Sequence, residues 1–222
     1  MNFGSAMDYL RAIHDATEQG GGVGNATLAR ALGVRPPSVT GMVERLCREG
    51  LVARHDDRTL RLTAKGRRAA RSGIRRHRLI ETWLIRSLGL GWTAAHEEAH
   101  RLEHALSPTL EGVIAERLGY PKRDPHGAPI PDADGHFPSE ASAPLSDLAD
   151  GEGGTVVRLS DRQPEKLGYW RALGLTLGAR VRRLGTEAFG GPVALSIRGR
   201  KALVGAPVLQ GVWVRRREAG HE

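Results

Sequence analysis

The sequence predicts an α+β protein in three consecutive parts: helices with a short hairpin, then longer helices, then a small β-barrel. Apolar residues recur every three or four positions through most of residues 7–118, which is typical of amphipathic helices. A stretch rich in Pro, Gly, Asp and Ser then follows residue 120. Beyond residue 154, short alternating apolar segments indicate strands. The 222 residues leave room for two or three small domains with cores of their own.

The first part is predicted to contain three helices and a β-hairpin. Asn25 is a suitable N-cap for the second helix, and Pro36 and Pro37 fit the first turn of the third. Two short alternating segments flank a polar turn, as in a hairpin. This order of elements is that of a winged helix-turn-helix. The predicted helices cover residues 7–17, 25–32 and 36–48, and the predicted strands cover 51–54 and 60–62.

The charge of this part indicates a polyanionic partner. Residues 1–76 carry 14 Lys and Arg against 7 Asp and Glu, and a basic excess suits DNA. In a helix-turn-helix, the start of the motif's second helix, here the helix predicted at 36–48, approaches phosphates and base edges. A small helical subdomain that binds no DNA is the alternative. The candidate DNA-binding residues are Arg35, Pro37, Ser38, Thr40, Arg48 and, at the tip of the wing, Arg58.

Histidines and carboxylates are concentrated in the second part. Residues 96–104 alone hold three of each. Positions i, i+3 and i+4 share one face of a helix, so His100, Glu103 and His104 can converge on one ion. Another His–Glu pair with a spacing of four, His77 and Glu81, lies upstream, and His96 lies one turn before His100. Imidazole and carboxylate ligands together suit a first-row divalent metal. The alternative is that these side chains form a solvated polar face of the helix.

One segment of this run also fits an enzyme. His96-Glu97-x-x-His100 matches the zinc protease motif His-Glu-x-x-His, in which the Glu is the general base. Such a site needs a third ligand, an open coordination position and a substrate cleft. A zinc-dependent hydrolase is therefore the alternative function, and a winged-helix protein with a purely structural His cluster is a third. The single cysteine, Cys47, argues against a thiolate site or a disulfide framework.

The second part is also predicted to be a dimerisation module. Its three predicted helices have a partly apolar face and no large core of their own. They cover about 66–88, then 92 or 93 to 107, and then the residues that follow to about 118. Residues 77–150 carry 6 Lys and Arg against 12 Asp and Glu, which suits cations. No run of apolar residues is long enough to cross a membrane, and the N-terminus lacks a signal-peptide pattern. We therefore expect a cytoplasmic protein.

The third part has the pattern of a small closed or half-closed barrel. Five short strands are predicted at 155–159, 179–184, 193–197, 201–204 and 212–216, with one helix at about 165–173. The expected domains are a winged helix-turn-helix at 1–73, a helical dimerisation and metal-binding domain at 74–140, a linker at 141–153 and the barrel at 154–218.

This order of parts resembles the diphtheria toxin repressor family of metal-dependent transcriptional regulators over nearly the whole chain. The resemblance implies that the barrel is SH3-like. It also implies a homodimeric, metal-activated repressor of metal uptake and homeostasis genes, which binds a palindromic operator in double-stranded DNA and is not an enzyme. The motifs that carry the resemblance are His77-Arg78-Leu79-x-Glu81, the 96–104 run and Asp124-Pro125-His126-Gly127-x-Pro129-Ile130-Pro131.

The resemblance also implies two ion sites. Where the iron-responsive branch offers Met and Cys, this chain has Asp8 and His100, which shifts the preference towards Mn²⁺ or Fe²⁺; Zn²⁺, Co²⁺ or Cd²⁺ are expected to substitute in vitro. Arg11 stands where the manganese-responsive branch has an acidic residue, which argues against a two-ion version of the primary site. The implied primary ligands are Asp8, His100, Glu103 and His104; the implied ancillary ligands are His77, Glu81 and His96, with Gln163 and Glu165 of the barrel as additional candidates.

Overall fold

The computed structural model describes residues 5–18, 22–55, 59–139, 141–160 and 164–216. The chain divides into two compact units. The first comprises Met1–Lys122 and Ile130–Pro138, and the second comprises Arg123–Pro129 and Ser139–Glu222.

The first unit begins with the predicted three helices and hairpin. The strands pair antiparallel, with Ala53 opposite Arg61. Helices and hairpin share one apolar core, in which Ile13, Val43 and Leu46 are fully buried. The spacing of the apolar residues therefore identified these elements correctly. They are α1 (Ala6–Glu18), α2 (Asn25–Leu32), α3 (Pro36–Arg48), β1 (Val52–Arg54) and β2 (Leu60–Leu62).

One long helix, α4 (Ala64–Leu88), connects the two functional parts of this unit. Thr63 caps it by accepting a hydrogen bond from the Gly66 backbone N–H. The helix packs against both α1 and the next helix of the chain, α5 (Trp92–Leu102). Because α4 is continuous through residues 73 and 74, the predicted domain boundary there falls inside a helix whose two ends both belong to this unit.

Helix α5 is shorter than predicted. It ends at Leu102, and Ser107 already adopts an extended conformation because its side chain caps α6 (Pro108–Arg117). The chain must leave the helix before that cap. Glu103 nevertheless keeps helical backbone angles, φ −57° and ψ −27°. The spacing that places His100 and Glu103 on one face therefore still applies.

The strands of the second unit are β3 (Ala143–Pro144), β4 (Gly153–Leu159), β5 (Arg180–Thr186), β6 (Val193–Ile197), β7 (Arg200–Val204) and β8 (Val212–Arg216). They form an antiparallel sheet in the order β3-β8-β4-β5-β6-β7. Its edge strands, β3 and β7, do not pair with each other in the described residues, so a closed barrel is not observed. The predicted linker contains β3, which pairs with β8, and a 3-10 helix at Leu145–Asp147 whose Leu145 is fully buried. Polar composition concealed this strand. The α-helices described in this unit are α7 (Pro164–Ala172) and α8 (Ala206–Leu209).

The motif at residues 124–131 is divided between the units. Residues 123–129 belong to the second unit, although the sequence assigned them to the helical domain. Asp124 Oδ1 accepts hydrogen bonds from the backbone N–H groups of His126 and Ala128, which holds the loop. Gly127, at φ +81°, lies so close to the Val157 carbonyl that a side chain would collide with it.

Candidate metal centre and nucleic-acid interface

Four of the predicted ligands meet where α1 approaches the end of α5. We call this group the Asp8 cluster, and each member offers one ligand atom within 4.8 Å of the others. Asp8 and Glu103 are buried, whereas the His104 side chain is 41% exposed and opens the cluster to solvent. Its members are Asp8, His100, Glu103 and His104.

Asp8 has a second role at the start of α1. Its Oδ2 accepts hydrogen bonds from the Ser5 backbone N–H at 3.0 Å and from the Ser5 hydroxyl at 2.8 Å. The Asp8 N–H lies 3.3 Å from Ser5 Oγ, which completes a reciprocal capping arrangement. Oδ1 remains directed to the cluster, 3.9 Å from His100 Nδ1. Ser5 was not among the predicted residues, although its Ser-x-x-Asp spacing to Asp8 is visible in the sequence.

Glu103 is the most connected member of the cluster. Its Oε1 lies 3.1 Å from His100 Nδ1 and 3.7 Å from His104 Nε2. Its Oε2 lies 2.8 Å from His77 Nδ1 and 3.4 Å from Arg11 Nη1. The sequence identified Arg11 only as a departure from a family pattern, and its contact with Glu103 is a finding of the structure.

The predicted ancillary ligands on α4 and α5 form a second group between these two helices. We call it the His77 cluster, and its members are His77, Glu81 and His96. His77 Nε2 and Glu81 Oε1 each lie 3.3 Å from His96 Nδ1. His77 is 1% exposed and Glu81 fully buried, so this cluster is more enclosed than the first.

Burial and neighbouring charges set the ionisation of the two groups that connect the clusters. Burial lowers the pKa of His77, and the positive charge of Arg11 lowers it further, against the opposing effect of Glu103. For Glu103, burial alone would raise the pKa. The hydrogen bond from His77 and the positive charges around the carboxylate outweigh burial and lower the pKa below its usual 4.5. A neutral His77 that donates a hydrogen bond to an ionised Glu103 agrees with the lowered pKa of each group.

Both donor sets fit a first-row divalent ion. They consist of imidazole nitrogens and carboxylate oxygens, with no sulfur. Such ligands lie about 2.0–2.2 Å from a metal. Because the ligand atoms of each cluster lie within 4.8 Å of one another, small side-chain rotations are enough to surround one ion. The two histidines of His96-Glu97-x-x-His100 lie in different clusters, which is not the shared site that a zinc hydrolase needs.

The predicted DNA-binding residues that the structure describes lie at the exposed side of α3. Arg35 is its extended N-cap residue, and Pro37 and Ser38 lie in its first turn. Thr40 and Arg48 are also exposed, whereas Val43 is buried. Gly41 and Glu44 are exposed on the same face of α3 as Pro37, at helical spacing from it, and were not among the predicted residues. Arg58 and Gln163 lie outside the described residues, as does the side chain of Glu165.

A helix-turn-helix with a hairpin, joined to helices that carry clustered metal-type ligands, defines a class of metal-responsive DNA-binding proteins. Comparison with known families agrees. Residues 3–60 match the iron dependent repressor N-terminal DNA binding domain, and residues 63–132 match the iron dependent repressor metal binding and dimerisation domain. Residues 143–216 match the FeoA domain. Within the described residues, no helix is long and apolar enough to cross a membrane.

Individual relatives give the same result. The iron-dependent repressor IdeR of Mycobacterium leprae is 37% identical over 159 residues, 70% of this chain and 69% of that protein. IdeR of Mycobacterium tuberculosis is 41% identical over 55% of this chain, but the match spans only about half of that relative, 54%. A manganese-dependent transcriptional repressor solved in complex with manganese superposes with a TM-score of 0.87 at 40% identity, covering 95% of this chain and 99% of that one.

This chain belongs to the diphtheria toxin repressor family of metal-dependent transcriptional repressors. Members of the family are DNA-binding regulators and not enzymes, and nothing in the comparisons supports the hydrolase alternative.

Proposed function

We propose that this protein is a homodimeric repressor that binds a palindromic operator when it is loaded with Mn²⁺ or Fe²⁺, and that it controls metal uptake and homeostasis genes from the cytoplasm. One observation carries the proposal: the Asp8 cluster takes Asp8 from the helix-turn-helix part and its other three members from the end of α5. The family assignment supports DNA and a second copy of the chain as the partners.

In this proposal the Asp8 cluster is the primary ion site and the His77 cluster is the ancillary one. Both lack sulfur, which favours the harder ions Mn²⁺ and Fe²⁺ over those that prefer thiolate or thioether. The same nitrogen and oxygen donors would accept Zn²⁺, Co²⁺ or Cd²⁺ in vitro. Completion of the ancillary site by Gln163 or Glu165 stays a prediction from the family resemblance.

The packing of α1 suggests how the primary site would reach the DNA-binding face. When bound, a divalent ion supplies the positive charge that offsets repulsion between the carboxylates of Asp8 and Glu103. Asp8 would then hold α1 against the end of α5. Because α1 shares its apolar core with α3, the position of α1 would set the position of α3, the proposed recognition helix that contacts DNA. In a dimer, two recognition helices must match half-sites about 34–36 Å apart, or a multiple of that distance.

The contacts with DNA would come from the exposed side of α3 and from the wing. In this proposal Arg35 and Arg48 would supply charge for phosphates. Pro37 and Ser38, exposed in the first turn of α3, would approach base edges, with the exposed Thr40 in the next turn. Arg58 is proposed to contact the backbone from the tip of the wing.

Metal-dependent DNA binding is the direct test. A duplex is first selected from a random library with purified protein and Mn²⁺, and its affinity is then measured by fluorescence anisotropy. We expect tight binding with Mn²⁺ or with anaerobic Fe²⁺, and weak binding in chelator. Equal affinity with and without metal would contradict metal activation. A selected duplex without two-fold symmetry would contradict the palindromic operator.

A further inference from the structure

The Glu103 carboxylate faces both clusters, one oxygen to each. Oε1 lies within the Asp8 cluster, 3.1 Å from His100 Nδ1. Oε2 accepts a 2.8 Å hydrogen bond from Nδ1 of His77, a member of the other cluster. Both residues are at most 2% exposed, so water does not compete for this bond. The two clusters are therefore connected by one buried hydrogen bond.

His77 is the other half of this connection. With its Nδ1 donating to Glu103, its Nε2 is directed towards the His77 cluster, 3.3 Å from His96 Nδ1. A buried hydrogen bond from one ring nitrogen selects the tautomer and the orientation that the other nitrogen presents to a metal. The same bond fixes the carboxylate that accepts it.

Other contacts show that the structure holds Glu103 in one orientation. Arg11 of α1 approaches Oε2 at 3.4 Å, and Arg76 of α4 donates to the Glu103 backbone carbonyl at 3.3 Å. The shortest of the contacts to Oε2 is the one from His77. Loss of that contact would free the carboxylate to rotate away from His100.

We propose that His77 is a positioning residue for the Asp8 cluster, and that the His77–Glu103 hydrogen bond couples the two ion sites so that filling either one strengthens the other. This inference rests on the proposed function, since it takes both clusters as ion sites. An ion on Nε2 of His77 makes Nδ1–H a stronger donor to Glu103, and a fixed Glu103 presents Oε1 to the Asp8 cluster. Linkage requires the effect to be reciprocal.

The test compares three variants of the full-length protein, with Mn²⁺ binding followed by electron paramagnetic resonance of the free ion. His96→Ala disables the His77 cluster without touching Glu103. His77→Leu also disables the His77 cluster, and in addition removes the hydrogen bond to Glu103. His77→Asn lacks a nitrogen at the Nε2 position, but its amide can donate from the position of Nδ1.

All three variants should lose the ion of the His77 cluster. The Mn²⁺ affinity of the Asp8 cluster should be about 10- to 100-fold lower in His77→Leu than in His96→Ala, the usual effect of removing an outer partner of a ligand. His77→Asn should recover most of that loss. The Mn²⁺ affinity of the Asp8 cluster should also be lower in His96→Ala than in wild type whose His77 cluster holds an ion, because the variant has lost the coupling.

Equal affinities in His77→Leu and His96→Ala would overturn the proposal, and so would a failure of His77→Asn to restore affinity relative to His77→Leu. An Asp8-cluster affinity in His96→Ala equal to or above that of the wild type would overturn the coupling. A wild-type protein that binds neither Mn²⁺ nor, under anaerobic conditions, Fe²⁺ would instead refute the proposed function. If His77→Leu does not fold, His77→Phe takes its place, because it fills the buried space and equally lacks a donor.

Discussion

The Asp8 cluster and the His77 cluster use the same two kinds of ligand but take them from different helices. The first joins α1 to the end of α5, whereas the second joins α4 to α5. They also differ in access: the His104 side chain is 41% exposed, while His77 and Glu81 are at most 1% exposed.

In the proposed function, position and not ligand chemistry distinguishes the primary site from the ancillary one. Helix α1 belongs to the core that carries α3, so a cluster that includes Asp8 can change the DNA-binding face. A cluster confined to α4 and α5 has no ligand on α1, and it is linked to the Asp8 cluster by the His77–Glu103 hydrogen bond. Four predictions test this contrast.

The largest effect is expected from Asp8→Ala compared with Glu81→Ala. Asp8→Ala should abolish most of the Mn²⁺-dependent gain in operator affinity, about 5- to 150-fold for a typical coupling between sites. Glu81→Ala should lower the gain less, because its cluster has no ligand on α1. The measurement is operator affinity by anisotropy at saturating Mn²⁺, with metal-free protein as the baseline.

Ser5→Ala controls for the second role of Asp8, since it removes the partner of Asp8 at the cap of α1 but no proposed ligand. This variant should lose some helix stability and keep its Mn²⁺ response. If Asp8→Ala retained the wild-type response, the Asp8 cluster would not connect α1 to α5 functionally.

A smaller effect is expected from Asp8→Met. A thioether is a softer ligand than a carboxylate, so the ratio of Zn²⁺ to Mn²⁺ affinity at the Asp8 cluster should rise. The operator response to Mn²⁺ should fall less than in Asp8→Ala. Competition titrations with the two ions measure the ratio. An unchanged ratio would show that Asp8 is not a ligand.

The DNA-binding face should respond differently from either cluster. Arg35→Ala should reduce the slope of log affinity against log salt by about one, the loss of one phosphate contact, and should leave Mn²⁺ affinity unchanged. Arg86→Ala, in the last turn of α4, is the matched charge control. Equal slopes for wild type and Arg35→Ala would exclude Arg35 from the interface.

The smallest effect concerns the metal-free protein and pH. The pKa of His77 is lowered from 6.5, so the unfolded chain binds more protons just below that pH. The contribution of His77 to the free energy of unfolding is therefore complete above about pH 6.5 and is lost as the pH falls towards its folded pKa. Glu103, whose pKa is lowered from 4.5, adds a similar loss below that value.

Urea unfolding between pH 7.5 and 5 tests this expectation. His77→Asn should flatten the dependence below pH 6.5, and His136→Asn, which replaces an exposed histidine, should not. A pH dependence in His77→Asn identical to that of wild type would contradict the assignment of a buried neutral His77.

Much of the site was predictable because helical spacing is local. His100 and Glu103 share a face, as do His77 and Glu81, whatever the rest of the chain does. Asp8 came from the family resemblance, since nothing local relates α1 to α5. The strand at Ala143–Pro144 was missed because the buried Leu145 acts through packing that composition does not reveal. The early end of α5 was missed although its signal is local, since Ser107 is an N-cap followed by Pro108 at the start of α6.

By itself, the sequence determined the helices, the hairpin and the kinds of ligand, because periodicity, turn residues and side-chain chemistry are properties of short segments. Tertiary structure alone decided that Arg11 and His77 meet on one oxygen of Glu103 and that the two clusters are connected. Those contacts join residues 26 and 92 positions apart, and only the packing of α1 and α5 against α4 brings them within hydrogen-bonding distance.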